Sequence, residues 1–264
     1  MTFDSVLSLL QEIAPLEYAE SWDNVGLLVG DKSLSVSCAM TCLTLTATTL
    51  QEAIDEKARL VICHHPIPFK PLSRITNDTA TGRLLLGAIS AGIAIYSPHT
   101  AWDNAKTGIN QQLADVLGLD SIKPLQAFSQ VMVNDETIGV GRCGTLSNDK
   151  PFTIGDLIRR IQSSIPSIQP RQTHSLDHAI SKVGIVCGSG GGLLGLVASR
   201  SCDAMLTGEA TYHQCLEAES RGVAMIMIGH HASEAFAMKT LAVQLQSRLS
   251  TTRVFCSQRE ESCF

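Results

Sequence analysis

The sequence predicts an α/β protein with a largely parallel sheet. Short aliphatic runs alternate with segments whose apolar residues recur at helical spacing, which is typical of this class. Of the 264 residues, 44% are apolar and 17% charged. A chain of this length buries roughly 70–75% of its unfolded surface, so it folds without help from disulfides or metals. This composition argues against intrinsic disorder and against a fibrous protein.

The amino-terminal half supplies the first alternating elements. Apolar residues between Phe3 and Ile13 fall on one face, which predicts a helix ending before Pro15. The elements predicted next are strand 39–46, helix 48–57, strand 59–63, helix 80–91, strand 93–96 and helix 104–117.

The carboxyl-terminal half changes pattern before the alternation resumes. Three runs predict antiparallel strands, Val131–Val133, Ile138–Gly141 and Arg142–Leu146, and a helix is predicted near 154–164. After Lys182 we expect strand 183–187, helix 193–200, strand 203–207, helix 210–221, strand 223–228, helix 233–249 and strand 253–256.

Charge and cysteine usage restrict the partners and the compartment. The net charge of -5, without a basic block, disfavours binding to nucleic acid or to an anionic membrane surface. Nine cysteines without a CxxC pair, several of them in apolar runs, indicate buried free thiols in a reducing, cytoplasmic compartment. The amino-terminal stretch is unlike a signal peptide, and no apolar run approaches the ~20 residues that span a bilayer.

Two segments of the chain are alike. LQEAIDEKARLVICHH (50–65) and LEAESRGVAMIMIGHH (216–231) align without a gap and both end in two histidines. The likeness predicts a duplicated architecture with the two histidine pairs at equivalent strand ends. Chance similarity between two helix–strand units is the alternative.

Histidines are concentrated where strands are predicted to end. Six of the eight fall in four places: His64-His65, His99, His213 and His230-His231. In open α/β sheets ligands bind beyond the carboxyl ends of the strands. Three acidic residues stand four positions from a histidine, a spacing that lets the side chains converge: Asp103 with His99, Glu209 with His213 and Glu234 with His230.

This set of side chains is typical of a metal site. Imidazole and carboxylate without a nearby thiolate suit Zn, Mn, Fe or Ni with open positions for water. The ligands exceed what one ion needs, which predicts two divalent ions ~3.5–4 Å apart that activate a water. Cys63 precedes the first pair, but its side chain should point away. Structural histidines with satisfied hydrogen bonds are the alternative.

Two loops allow more than one interpretation. Gly190, Gly192 and Gly195 satisfy GxGxxG between a strand and a helix, which favours either a dinucleotide site or a tight or anion-binding turn. Because the helix is short and a second nucleotide-binding unit is missing, we assign no cofactor-binding residue there. Trp22, Asp23 and Asn24 are predicted to lie in a turn. In one interpretation the Trp is buried and the Asp or Asn caps the backbone; in the other the turn is a loop that lines the site.

Six motifs carry a family resemblance. SWDNVGLLVG, CHHPIPF, SPHTAWDNAKTGIN, VCGSGGG, DAMLTGEATYH and GHHASE occur in that order. Together they resemble the Nif-three-like family, also catalogued as GTP cyclohydrolase I type 2 homologues. The resemblance implies two similar intertwined α/β/α domains with mixed, partly parallel sheets, and a homohexamer built as a trimer of dimers. We expect the first domain over 1–123 with 222–264 and the second over 124–221.

The resemblance also implies the ligands of a dinuclear metal centre: His64, His65, Asp103, His230 and Glu234. Glu234 would bridge the ions, with His65 and Asp103 on one and His64 and His230 on the other. His99 and His213 would orient ligands or substrate, or act as acid–base groups, and Glu209 would lie near the site.

This chain departs from the family pattern at two positions. His231 stands where an aromatic residue is more common, which could add a base or a ligand. Thr44 stands where many members carry Asp, which leaves the ligand set intact but changes a hydrogen bond beneath it.

These features favour a metal-dependent hydrolase acting on a nucleotide or a related small substrate, as the GTP cyclohydrolase name suggests. The alternative is a non-catalytic, metal-containing regulatory or scaffold protein that binds protein partners. A nucleotide-cofactor binder using the glycine loop is a third interpretation.

Overall fold

The computed structural model describes residues 2–128, 137–146, 152–166 and 168–262. Its α-helices are α1 (Phe3–Ile13), α2 (Ala47–Asp55), α3 (Ala80–Ser90), α4 (His99–Asn104), α5 (Ile109–Val116), α6 (Ile154–Ser164), α7 (Leu194–Ser199), α8 (Tyr212–Ser220) and α9 (His230–Arg248). Its strands are β1 (Gly26–Val29), β2 (Cys38–Cys42), β3 (Leu60–Cys63), β4 (Ala94–Ser97), β5 (Asp120–Lys123), β6 (Gln126–Ala127), β7 (Gly139–Val140), β8 (Arg142–Thr145), β9 (Phe152–Thr153), β10 (Arg171–Gln172), β11 (Ala179–Ile180), β12 (Lys182–Val186), β13 (Ala204–Thr207), β14 (Ala224–Met227) and β15 (Arg253–Cys256).

The chain divides into two compact units. The first comprises Met1–Trp102 with Ala237–Phe264, and the second comprises Asp103–Phe236. Within the described ranges, no helix is both long and apolar enough to cross a bilayer. The cysteines of those ranges are free, and those in strands are mostly buried, as the apolar runs around them predict.

The first unit contains a five-stranded sheet in the order β1-β4-β3-β2-β15. Only β1 is antiparallel to its neighbour. Strands β2, β3 and β4 are buried along their whole length, which explains why each reads as a continuous apolar run. Thr46 and Thr49 form a capping box at the start of α2, which ends the preceding extended segment.

The second unit contains a six-stranded sheet in the order β10-β14-β13-β12-β8-β5. Strands β12, β13 and β14 are parallel, whereas β8 and β10 are antiparallel to their neighbours. The fold is therefore α/β with mixed sheets, as the sequence predicts. Helix α6 begins at a capping box of Thr153 and Asp156 and buries Leu157 and Ile161 on its apolar face.

Both units contain the same four-strand arrangement. In each, three parallel strands are joined by helices and lie side by side in chain order, and an antiparallel strand pairs with the third. The two similar sequence segments, however, end on different strands. Segment 50–65 ends on β3, the second of the parallel strands β2, β3 and β4, whereas segment 216–231 ends on β14, the third of β12, β13 and β14. The two histidine pairs are therefore not at equivalent positions. The topological counterpart of His230 is His99, because each begins the helix that follows the third strand.

Most predicted helices and strands are confirmed with shifted ends, whereas β1, β5 and the two-residue strands β6, β9, β10 and β11 were not predicted. The strand predicted at Val131–Val133 lies outside the described residues. The helix predicted over 104–117 begins at Ile109, and residues 99–104 form the separate helix α4. The final helix begins at His230 rather than at Ser233. Strand pairs of two residues, such as β9 with β11, carry too few residues for an alternating pattern to be detected.

Arg142 is a buried charge that periodicity does not predict. Its Nη1 donates to the carbonyl oxygens of Gly139 (2.8 Å) and Gly141 (2.7 Å), and its Nη2 donates to that of Ala105 (2.6 Å). Its Nε donates to Oε1 of Gln111 (2.9 Å). Burial lowers the pKa of Arg142 to about 10, so the guanidinium remains charged at neutral pH. Arg142 thus joins α4, α5 and β7 through their polar atoms.

We expect Arg142→Met to lower the free energy of unfolding by about 3 kcal/mol, because Met retains much of the volume but leaves buried carbonyls unpaired. Urea denaturation measures this loss. The matched control is Arg159→Met, which removes an exposed contact to Asp156 and should cost less than about 1 kcal/mol. Equal losses in the two variants would contradict the structural role given to Arg142.

Candidate metal centre

His64 and His65 lie directly beyond the carboxyl end of β3. The His64 N–H donates to the carbonyl oxygen of Cys42 (3.1 Å) and the His65 N–H to that of Leu43 (2.9 Å), so the backbone stays paired past the strand. His64 is fully buried and His65 partly so. The two imidazoles are therefore held by sheet backbone rather than by a loose turn.

His99 begins α4 and is fixed by the carboxylate of Asp23. Its Nδ1 lies 2.8 and 2.9 Å from the two Asp23 oxygens. The backbone N–H of Thr100 (3.1 Å) and its hydroxyl also donate to this carboxylate. Burial by itself raises the pKa of Asp23, but the hydrogen bonds from His99 and Thr100 outweigh burial and lower it to about 2. Because an ionised carboxylate only accepts hydrogen bonds, Nδ1 of His99 is the donor in this contact.

His64, His65 and His99 come together as the sequence leads one to expect. Each offers one ring nitrogen, and these nitrogens all lie within 4.8 Å of one another. The group could therefore hold a metal ion. Cys63 does not contribute, because its buried thiol donates to the carbonyl oxygen of Tyr96 (3.8 Å) and burial raises its pKa to about 12. The available donors are thus imidazole nitrogens, which suit Zn, Fe, Mn or Ni.

Thr44 retains a hydrogen bond to the histidine cluster. Its hydroxyl lies 2.8 Å from Nδ1 of His65. Glu260, from the carboxyl-terminal tail, accepts from the backbone N–H of Thr44 (2.6 Å) and of Leu43 (2.7 Å). The residue at position 44 therefore orients His65 through a neutral hydroxyl, and a carboxylate from elsewhere in the chain fixes its backbone.

The second unit presents His230 between two carboxylates. Nδ1 of His230 lies 3.0 Å from Glu209 Oε1, and Nε2 lies 3.1 Å from Glu234 Oε2, one helical turn further along α9. The hydroxyl of Ser189 also donates to Glu209. The hydrogen bond and charge of Glu234, with those of Glu209, outweigh burial and raise the pKa of His230 to about 9. Bonds from Ser189 and His230 lower the pKa of Glu209.

Glycines let the start of α9 approach the neighbouring strands. Gly188 has φ +62°, and a Cβ there would lie 2.2 Å from Glu234 Oε1 and 3.3 Å from His230 Nε2. At Gly208 a Cβ would lie 2.8 Å from the Ser233 hydroxyl. That hydroxyl in turn accepts from the Gly188 N–H at 2.9 Å. The VCGSGGG and TGE motifs therefore make room for the His230–Glu234 pair.

Gly190 of the GxGxxG motif and its neighbour Gly191 are packed against the protein itself, whereas a Cβ at Gly192 would lie 3.9 Å from Gln214 Nε2 and one at Gly195 would meet nothing within 4 Å. A Cβ at Gly190 would lie 2.6 Å from Val186 Cβ and 2.7 Å from the Thr207 hydroxyl. A Cβ on neighbouring Gly191 would lie 2.6 Å from Gln214 Oε1. Close packing between β12, β13 and α8 accounts for Gly190 and Gly191, which favours the tight-turn interpretation.

Three other predicted site residues are placed as follows. Asp103 is the fifth residue of α4, half-buried, and its carbonyl oxygen accepts from Asn110 Nδ2 (3.2 Å). His213 is exposed on α8, and since Glu209 precedes that helix, their four-residue spacing does not place them on one helical face. His231 is half-buried, and its Nε2 is buried without a hydrogen-bond partner in the described part of the chain.

The interpretation of Trp22 as a buried residue is wrong. Its side chain is 61% exposed, and its ring lies 6.3 Å from that of His99 and 6.1 Å from that of Phe69. Asp23 and Asn24 do form the polar contacts expected of a turn. Phe69 was not singled out by sequence reasoning, although its place in the CHHPIPF motif was a usable signal.

A family model and curated relatives match nearly the whole chain. A family model described as Duf34/NIF3 (NGG1p interacting factor 3) matches residues 1–262. A protein of Clostridium perfringens named GTP cyclohydrolase 1 type 2 homolog is 31% identical over 98% of this chain and 97% of its own length. The protein NIF3 homolog of Schizosaccharomyces pombe is 34% identical over 89% of this chain and 86% of its own length.

Solved structures show the same fold. The crystal structure of a Bacillus cereus protein related to NIF3 matches with a TM-score of 0.90 and 21% identity, covering 100% of this chain and 98% of that one. Reduced HcgD from Methanocaldococcus jannaschii matches with a TM-score of 0.82 and 24% identity, covering 98% of both chains.

We expect Asp23→Asn to destabilise the protein in a pH-dependent way. A carboxyl with a pKa of about 2 when folded and 3.8 when unfolded stabilises the fold above pH 4, and this contribution is lost as the pH falls through 4 towards 2. The difference from wild type should be about 2 kcal/mol at pH 7 and about half of that at pH 3. Urea unfolding with a chelator present measures it, and a difference that is constant with pH would contradict the assignment.

Gly188→Ala should weaken metal binding at least tenfold, because the added Cβ displaces the Glu234 carboxylate and alanine disfavours the left-handed backbone. Calorimetric titration with Zn²⁺ or Mn²⁺ measures the change. The control is Gly195→Ala in α7, where a Cβ meets nothing within 4 Å and binding should be unaltered. Wild-type affinity in Gly188→Ala would show that this glycine does not serve the site.

Proposed function

The chain belongs to the Duf34/NIF3 family, and from this premise we propose that it is a metal-dependent hydrolase acting on a nucleotide or a related small substrate. Membership confirms the resemblance carried by the six motifs. The observation that carries the proposal is that the ring nitrogens of His64 and His65, two proposed ligands, and of His99, the proposed proton-transfer group, lie within 4.8 Å of one another. The name GTP cyclohydrolase 1 type 2 homolog, given to relatives, supports the substrate class.

The proposed ligands are those that the family resemblance implies, for two divalent ions of Zn, Fe, Mn or Ni: His64, His65, Asp103, His230 and Glu234. Their chemistry fits, since all offer imidazole nitrogen or carboxylate oxygen and the neighbouring thiol of Cys63 stays protonated. When bound, such ions would lower the pKa of a water and polarise a carbonyl or phosphoryl group, which makes its carbon or phosphorus more electrophilic. The proposal includes assembly as a homohexamer, which light scattering tests.

Around these ligands the protein supplies orientation and proton transfer. Glu209 fixes Nδ1 of His230, so that Nε2 is directed towards Glu234. Asp23 fixes Nδ1 of His99, so Nε2 of His99 can accept or return a proton during hydrolysis. We assign this role to His99 rather than to His213, whose side chain is exposed on α8 beside Tyr212.

His64→Ala and Glu234→Gln should each lose metal by elemental analysis and lose at least a hundredfold in hydrolysis, because each removes a proposed ligand. The assay is a screen of nucleotides and phosphoesters, with each candidate metal supplied separately. His174→Ala is the matched control, since this histidine stacks on His178 and lies outside the ligand set. It should keep metal and activity.

The outcomes separate the two classes of function. Wild-type metal content in His64→Ala or Glu234→Gln would contradict the ligand assignment. A metal-replete wild type that hydrolyses no compound of the screen would favour the alternative of a regulatory or scaffold protein.

A further inference from the structure

Two exposed aromatic side chains stand beside the histidine cluster of the first unit. Trp22 is 61% and Phe69 45% exposed. Their ring centroids lie 6.1 Å apart, and they lie 6.3 and 6.2 Å from the ring of His99, both in edge-to-face orientation. The three rings therefore form one cluster that offers aromatic surface to a ligand next to His64 and His65.

Hydrogen bonds hold the two aromatic loops in place. Asn24 Nδ2 donates to the carbonyl oxygen of Pro68 (2.6 Å). Asn24 lies two residues after Trp22, and Pro68 directly precedes Phe69, so this bond joins the two loops. The N–H of Glu20 donates to the Thr100 hydroxyl (3.0 Å). The Trp22 loop is thus anchored at Glu20 and at Asn24, on either side of the ring. Rings that are exposed but held in this way bind a flat partner at little cost in ordering.

We propose that Trp22 and Phe69, whose ring planes are inclined by 58°, form an aromatic platform for an anionic substrate, a purine nucleotide, whose planar base stacks on Trp22 and meets Phe69 with its edge. This inference rests on the proposed function and names a recognition element for it. Stacking on one such ring is worth about tenfold to a hundredfold in affinity. The platform binds the base beside the histidines, so the base itself lies within reach of their chemistry.

The charges around the platform are of both signs. Phe69 opens an exposed segment in which Lys70 and Arg74 are charged, and residues 66–76 contain no acidic residue. The Trp22 loop, in contrast, carries Glu17, Glu20 and Asp23 and no basic residue over 15–24. A nucleotide bound there would therefore place its phosphate on the Phe69 side, beside Lys70 and Arg74.

The two tryptophans make the proposal directly measurable. Trp22 is exposed, whereas Trp102 is 1% exposed, so a ligand that stacks on Trp22 quenches only the exposed fluorophore. The full-length, metal-loaded protein is titrated with GTP, guanosine and inorganic triphosphate, exciting at the red edge and correcting for absorption. We expect quenching by GTP and guanosine and none by triphosphate. The quenching should disappear in Trp22→Phe.

Calorimetry supplies the affinity without relying on fluorescence. Trp22→Ala should weaken GTP and guanosine binding at least tenfold and leave triphosphate binding unchanged, whereas Trp22→Phe, which keeps an aromatic ring, should stay within a few-fold of wild type. Phe69→Ala should resemble Trp22→Ala. Leu176→Ala truncates another exposed apolar side chain, 52% exposed, and should change nothing.

Several results would overturn the platform. The first is unchanged binding of guanosine and GTP in Trp22→Ala, and the second is a wild type that binds no purine. The third is a change of oligomeric state in Trp22→Ala, which would show that the rings form a subunit contact. The proposed function fails separately, through metal content and hydrolysis in the ligand variants. A wild type that hydrolyses a phosphoester lacking an aromatic ring, and binds no purine, would keep the hydrolase and reject the platform.

Discussion

The carboxylate of Asp23 is the interaction on which the site of the first unit depends. It is buried, yet it accepts hydrogen bonds from the ring of His99 and from both the backbone and the hydroxyl of Thr100. Because these bonds outweigh the cost of burial, Asp23 stays ionised far below neutral pH. One side chain thereby fixes the tautomer of His99, caps the start of α4 and anchors the loop that carries Trp22. Loss of this charge would disturb all three at once.

In the second unit a carboxylate also binds the Nδ1 atom of a histidine, but it comes from a different place relative to the sheet. His230, like His99, begins the helix after the third parallel strand, and a carboxylate again binds its Nδ1. In the first unit that carboxylate is Asp23, which precedes the sheet. In the second it is Glu209, which follows β13. In each unit a carboxylate thus fixes the imidazole that begins this helix, and topology rather than sequence likeness reveals the correspondence.

Much of the fold was predictable because α1 shows helical periodicity and buried strands such as β3 read as continuous apolar runs. The clustering of His64, His65 and His99 was also predictable, since aliphatic runs placed them at strand ends. The partners of these histidines were not. Asp23 lies 76 residues from His99, and Glu260 lies 216 residues from Thr44, so no local pattern connects them. Exposure of Trp22 was equally hidden, because tryptophan side chains are highly buried on average.

The neutral residue at position 44 is best understood together with Glu260. The Glu260 carboxylate already accepts from the backbone N–H groups of Leu43 and Thr44, at 2.7 and 2.6 Å. An aspartate at position 44 would set a second carboxylate beside it, and like charges in a partly buried place disfavour one another. Thr44 avoids this repulsion and still contacts Nδ1 of His65 through its hydroxyl. The hydroxyl at position 44 therefore keeps a hydrogen bond to the histidine cluster, while a tail residue supplies the nearby negative charge.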